Sequence, residues 1–225
     1  KDPRMSMYFL QPMTAGQRRY IGCRAGAAIG SNIVAKRLYS TVNVQETTPS
    51  LWLTASEMAF CKAEGVLRGW NMGGGTAKNY YERGITLSFN QWGADGVATY
   101  LLDDTSTEAN YADALGGFGG AAAKASTITI KWDDNAPMDE KMERLITQKW
   151  IALFPNGQEA WNEIRRTGYP RIFSVPQATN GYTLLTPNRI PFDKNQQIYN
   201  RSNYDKAVEL LGGPDDYATP MWWQR

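Results

Sequence analysis

Residues Ile146 to Pro170, ITQKWIALFPNGQEAWNEIRRTGYP, leave the chain little choice of local geometry. Pro155 cannot continue a helix arriving from Ile146, because it has no backbone donor and its ring clashes with the turn before it. Asn156 follows as an N-cap, and Glu159 stands three residues on, the spacing of a capping box. Gly168 closes the second helix and Tyr169-Pro170 prevents a restart. The stretch therefore predicts a helix, a tight corner and a second short helix. On the residues alone it reads as a structural corner: Trp150 and Trp161 supply an aromatic core, and Arg165 and Arg166 stand where a helix dipole favours cations.

Upstream, the spacing predicts a helix from Thr54 to Gly69. Thr54 and Glu57 form a capping box and Gly69 ends the run. Glu57, Glu64 and Arg68 share one narrow stripe, while Met58, Ala59, Phe60, Ala63, Val66 and Leu67 cover much of the rest. Such a helix is buried on several sides. Glu64 and Arg68 are four apart, in the order that favours an ion pair, so pairing explains Glu64 better than general acid–base chemistry. A glycine-rich turn, Asn71 to Gly75, leads to a second helix from about Thr76 to Trp92. The two make an αα-hairpin of the tetratricopeptide kind, although no strict 34-residue repeat is present. Gly73-Gly74-Gly75 lacks the Lys-Ser/Thr of a phosphate loop.

Elsewhere the texture is looser. Residues 1–50 read as loop apart from a short extended segment at Met5 to Leu10. Gly96 to Leu102 suits a short helix. GGFGGAAAKAS (116–126) is of low complexity and reads as flexible. STITIKW, Ser126 to Trp132, alternates as a strand does. Binding residues are expected on loops held by the helical scaffold, and the candidate ligand contacts there are Trp92, Tyr100 and Trp132, each with core packing as its alternative. Pro137 to Phe154 forms the long helix entering the corner, with Met142, Leu145, Ile146 and Leu153 on its apolar stripe. A last helix is expected from about Asn203 to Leu211, stopped by Gly212-Gly213-Pro214. The terminal Trp222-Trp223 pair reads as an anchor that buries the tail in a groove.

Composition then removes whole classes of function. The chain has 225 residues, a net charge of +2 and no histidine. No cluster of five basic residues marks a nucleic-acid surface, and no run of about 18 apolar residues marks a membrane span. The commonest general base and metal ligand is missing altogether. No nucleophile elbow, P-loop or H-E-x-x-H is present, and Glu57, Glu64, Glu159 and Glu163 all have capping or pairing explanations. Asp103-Asp104 and Asp133-Asp134 offer oxygen ligands for calcium, but outside any EF-hand pattern. No other cofactor is suggested. Cys23 and Cys61 lack metal or redox spacing; Cys61 suits a small buried residue in a helix, and a Cys23–Cys61 disulfide stays open.

Four ordered stretches carry a family resemblance: DPRMSMYFL (Asp2 to Leu10), TASEMAFCKAEGVLRGW (Thr54 to Trp70), the corner QKW-x-ALFPNGQEAW-x-E-x-RRTGYP, and Asn188 to Trp223 with NRIPF, NYDKAVELLGG and the closing WW. Together they resemble the C-terminal part of the SusD/RagB family. The resemblance implies an all-α fold of tetratricopeptide-like helix pairs with long irregular loops. It implies that residues 1–225 are the C-terminal part of one SusD-like domain whose N-terminal half is absent, together with its signal peptide and lipid anchor. It further implies a non-catalytic, surface-exposed outer-membrane lipoprotein of Bacteroidetes that hands a glycan or peptide to a SusC-type TonB-dependent transporter. Two other readings are a tetratricopeptide-like scaffold for protein segments and a secreted glycan hydrolase with paired carboxylates. The family motif carries over no ligand-contacting residue.

Overall fold

A computed structural model of the chain describes residues 2–12, 19–27, 38–114, 119–173 and 186–224. Its helices are α1 (Met5–Tyr8), α2 (Ala55–Leu67), α3 (Ala77–Trp92), α4 (Val97–Leu101), α5 (Met138–Ala152), α6 (Gly157–Thr167), α7 (Lys194–Tyr199) and α8 (Arg201–Leu211). Two antiparallel pairs of two-residue strands accompany them: β1 (Phe9–Leu10) with β2 (Thr41–Val42), and β3 (Tyr111–Ala112) with β4 (Ala121–Ala122). The fold is all-α, with tetratricopeptide-like helix pairs and long irregular connections. No helix among the described residues is long and apolar enough to cross a membrane.

Local chemistry starts and stops these helices largely where expected. The Thr54 side chain accepts from the Glu57 amide and caps α2. Thr76 and Asn79 cap α3 reciprocally, each side chain taking the other's backbone N–H. Asn156 caps α6 through the Glu159 amide, and Gly93, Gly168 and Gly212 close α3, α6 and α8 in the left-handed conformation that glycine adopts freely.

The core lies where α2, α3 and α5 meet. Phe60, Ala63, Tyr81, Ile85, Phe89, Leu145 and Ile146 are fully buried there. Gly84 lets α3 come close to α2: a Cβ at that position would sit 2.7 Å from the Phe60 ring. Ser56 reinforces the approach by donating to the Gly84 carbonyl at 2.7 Å.

The corner is held by an ion network joining three helices. Lys149 on α5 pairs with Glu163 on α6 at 2.8 Å, and Arg166 on α6 pairs with Glu163 at 2.7 Å and with Glu64 on α2 at 2.6 Å. Arg68 completes Glu64 at 2.8 Å. Burial alone would raise the Glu64 carboxyl, but Arg166 and then Arg68 outweigh it and hold Glu64 below its ordinary range. The expected Glu64–Arg68 pair is present. Arg166, expected to serve the helix dipole, instead crosses to a neighbouring helix.

Several expectations are corrected. STITIKW is not a strand: among the described residues its one backbone–backbone bond runs from Lys131 N–H to the Asp103 carbonyl, its other outside bonds are to side chains, and no strand lies beside it. Met5 to Leu10 is a helical turn before it is extended. Trp150 and Trp161 do not form a buried core; Trp150 is 37% exposed, and Trp161 donates to the Pro187 carbonyl under the Arg165 guanidinium, 3.6 Å from its ring centre. Trp222 is 80% exposed, so only Trp223, near Arg165, contributes to seating the tail, together with Gln224, which donates to the Arg165 carbonyl. Cys61 is partly exposed, its sulfur 3.5 Å from Lys149 Nζ, and both cysteines are free thiols. The GGF part of the glycine-rich run and Pro176 lie outside the described residues.

Candidate functional site

A cavity of about 560 Å3 opens between α5 and the loops that cross it. Arg144, Thr147, Gln148 and Ile151 form its α5 wall, at the i, i+3, i+4, i+7 spacing that lines one helix face. This face lies beside the one that carries Leu145 and Ile146 into the core, so a single helix serves both scaffold and site. The opposite walls come from residues 22–25, the turn after α4, segment 126–130 and residues 170–173.

The lining is mostly apolar with polar groups at separate points, as in small-molecule sites. Tyr111 and Phe173 face each other with ring centres 5.7 Å apart. Trp150 stands at the rim, shared with a smaller cavity of about 350 Å3 beside Phe154 and Pro155.

The floor is an ordered polar network. Arg4, fully buried, grips Asp2 through both carboxylate oxygens at 3.0 and 2.6 Å. It also donates to Ser88 Oγ at 3.0 Å and to Gln148 Oε1 at 2.9 Å. The Tyr100 hydroxyl donates to Asp2 at 2.8 Å and accepts from Gln148 Nε2 at 2.9 Å. Burial by itself would raise the Asp2 carboxyl, but Arg4 prevails and lowers it; burial also pushes the Tyr100 phenol well up.

The other two carboxylates in the wall are committed to loop structure. Asp103 accepts from the Thr105 and Ser106 amides and the Thr105 hydroxyl, and these bonds, with Ser106 the foremost partner, hold its carboxyl well below the usual range. Glu108 Oε2 accepts from the Ala125 and Ser126 amides at 2.7 and 3.0 Å. The acids named as calcium ligands are engaged as well: Asp104 pairs with Lys131, Asp133 caps the Asn135 amide, and Asp134 takes the Trp132 indole N–H. Among the described residues, no three potential metal ligands come together.

The structure does not gather the three aromatics singled out in the sequence. Trp92 is half-buried and joins Tyr8 and Phe154, whose rings lie 4.9 and 5.6 Å away. Trp132, 6% exposed, packs on Tyr81 at 5.0 Å. Tyr100, 8% exposed, is the one of the three that lines the cavity, with its ring against Phe89. Sequence reasoning missed Tyr111, Phe173 and the cavity face of α5. The 144-147-148-151 spacing was the available signal, obscured because three of those four residues are polar and read as solvent-facing.

A family model described as "Susd and RagB outer membrane lipoprotein" matches residues 1–224. The chain belongs to the SusD/RagB family. A SusD homolog from Bacteroides uniformis is similar at 40% identity with a TM-score of 0.92, over 100% of this chain and 47% of that one. A SusD-like protein from Bacteroides thetaiotaomicron matches at 40% identity and a TM-score of 0.90, over 99% of this chain and 47% of its own. A structure described as a chitin-binding SusD homolog from Flavobacterium johnsoniae matches at 39% identity and a TM-score of 0.89, over 100% of this chain and 46% of its own. This SusD-like chain thus spans about half the length of the solved structures it matches. No match was found among curated protein sequences.

Proposed function

We propose that this SusD-like chain is part of a non-catalytic outer-membrane lipoprotein, exposed at the cell surface, that captures a glycan and passes it to a SusC-type TonB-dependent transporter. The cavity beside α5 carries the reading: its aromatic rings suit the C–H faces of sugar rings, while amide, hydroxyl and guanidinium groups suit their hydroxyl edges. The likeness to a chitin-binding relative along the whole chain supports the ligand class. Binding rather than hydrolysis is favoured because Asp2, Asp103 and Glu108, the carboxylates of the wall, are already committed to structural hydrogen bonds. A hydrolase needs two carboxyl groups free to act as acid and as base or nucleophile.

Calorimetric titration of the full-length protein with a panel of oligosaccharides that includes chitin fragments tests the proposal. Trp150→Ala and Phe173→Ala should each weaken a glycan that binds by about ten-fold, the value of roughly one lost stacking contact. Glycan binding indifferent to both substitutions would move the site away from this cavity, and binding of peptides alone would redirect the cargo to protein.

A further inference from the structure

The hydrogen-bonding capacity of the cavity wall is unevenly spent. Its three carboxylates are taken up by partners of their own. Its three arginines are taken up only in part among the described residues. Arg144 is 5% exposed, yet among the described residues its side chain's one bond runs from Nε to the Thr129 carbonyl at 3.1 Å, and its Nη1 has no partner. Arg24, 9% exposed, donates from Nη1 to the Ala121 carbonyl at 2.8 Å and leaves Nε without a partner. Neither makes an ion pair with a described residue. Arg171 stands more open, and its one ionic contact is a 3.5 Å approach to Glu143, whose other oxygen is held by Ser126 at 2.6 Å.

A guanidinium stays charged at every relevant pH, so these side chains cannot escape burial by losing a proton. Leaving a buried cation without a counter-charge is costly. Arg4, buried behind the floor residues Asp2 and Gln148, shows what a paired guanidinium looks like in this protein. No described residue supplies a counter-charge to Arg144 or Arg24, and the planar fork of a guanidinium matches a carboxylate through two parallel bonds.

We propose that the sugar taken by this cavity is acidic, with a uronic-type carboxylate seated against Arg144 and within the field of Arg24 and Arg171. This inference rests on the glycan-capture reading and narrows it to a substrate class. Arg144 is the specificity-determining group. Arg24 fixes the loop that carries β4 and adds charge, and Arg171 attracts the ligand at the mouth.

The test compares acidic oligosaccharides (galacturonate, mannuronate and sialylated trisaccharides) with their methyl esters, by calorimetry on the full-length protein. At least one acid should bind about ten-fold or more tightly than its ester at low salt, and the gap should shrink in about 0.5 M salt, where the Debye length falls below about 5 Å. Arg144→Met should close the gap by weakening the acid more than its ester, about ten-fold against a few-fold. Arg171→Gln, on a side chain that is 57% exposed, should narrow it two- to three-fold, so the proposal stays testable should Arg144→Met fail to fold. Acids and esters that bind equally, with both weakened by Trp150→Ala, would overturn the acidic-sugar inference and leave glycan capture standing. Acid binding untouched by Arg144→Met and Trp150→Ala would overturn the acidic-sugar inference for this cavity and move the glycan site elsewhere, and silence from every sugar would overturn both readings.

Discussion

Two buried arginines, one behind the cavity floor and one in its wall, are treated in opposite ways. At the floor, Arg4 meets Asp2 in a two-pronged pair and spends its remaining donors on Ser88 and Gln148. Across the α5 wall, Arg144 is nearly as buried and has one carbonyl. Burial alone would class both as structural. Counting partners among the described residues separates them: the first is satisfied inside the fold, and the second keeps an Nη1 donor unmatched. The difference teaches that in a cavity the informative arginine is the one with bonds still to make.

The comparison is broken most severely at Arg4. Arg4→Met would leave Asp2 buried without its cation, and chemical denaturation should show a loss of about 3–5 kcal/mol, the usual cost of removing one partner of a buried pair. A loss below about 1 kcal/mol would show that the floor network does not hold the fold. Acid comes next. The Asp2 and Glu64 carboxyls are lowered from their ordinary 3.8 and 4.5, so the unfolded chain takes up protons first as pH falls. Their contribution is complete above about pH 5 and drains away through pH 4.5 and 3.8 toward the lowered folded values. Melting temperature should be flat from pH 7 to about 5.5 and fall steeply below about 4.5, less steeply in Arg4→Met, where Asp2 has no pair to lose. A melting temperature unchanged at pH 3 would contradict the assignment. The smallest effect is expected at Arg144: replacing an unpaired buried cation with Met should change stability by no more than about 1 kcal/mol. That near-neutrality beside a large loss at Arg4 sharpens the contrast, and a loss as large as that at Arg4 would erase it.

What could be read from the sequence was what nearest neighbours decide. Thr54, Asn156 and Gly168 act on amides or carbonyls within a few residues, and each does what its position implies. Glu64–Arg68 spans one helical turn. The rest depends on partners far along the chain: Arg166 reaches Glu64 from 102 positions away, and Arg4 reaches Gln148 from 144. STITIKW has the alternation of a strand but no second strand to pair with, and alternation cannot supply one. Tryptophan type did not reveal depth, since Trp132 is buried while Trp150 and Trp222 face outward. The cavity stayed hidden for the same reason. Its walls come from six separate parts of the chain, and polar Arg144, Thr147 and Gln148 look like solvent-facing positions until loops fold over them.

Tyr100 and Gln148 belong at once to the floor of the cavity and to the network that locks Arg4 into the core. A ligand resting on them meets a surface that is as fixed before its arrival as after. Little shape has to be assembled during the encounter, so association should run at a rate set by diffusion and charge rather than by rearrangement. Under the proposed glycan-capture function, discrimination among sugars would be expressed in how long each one stays, and the duration of that stay would set the interval available for passing the cargo onward.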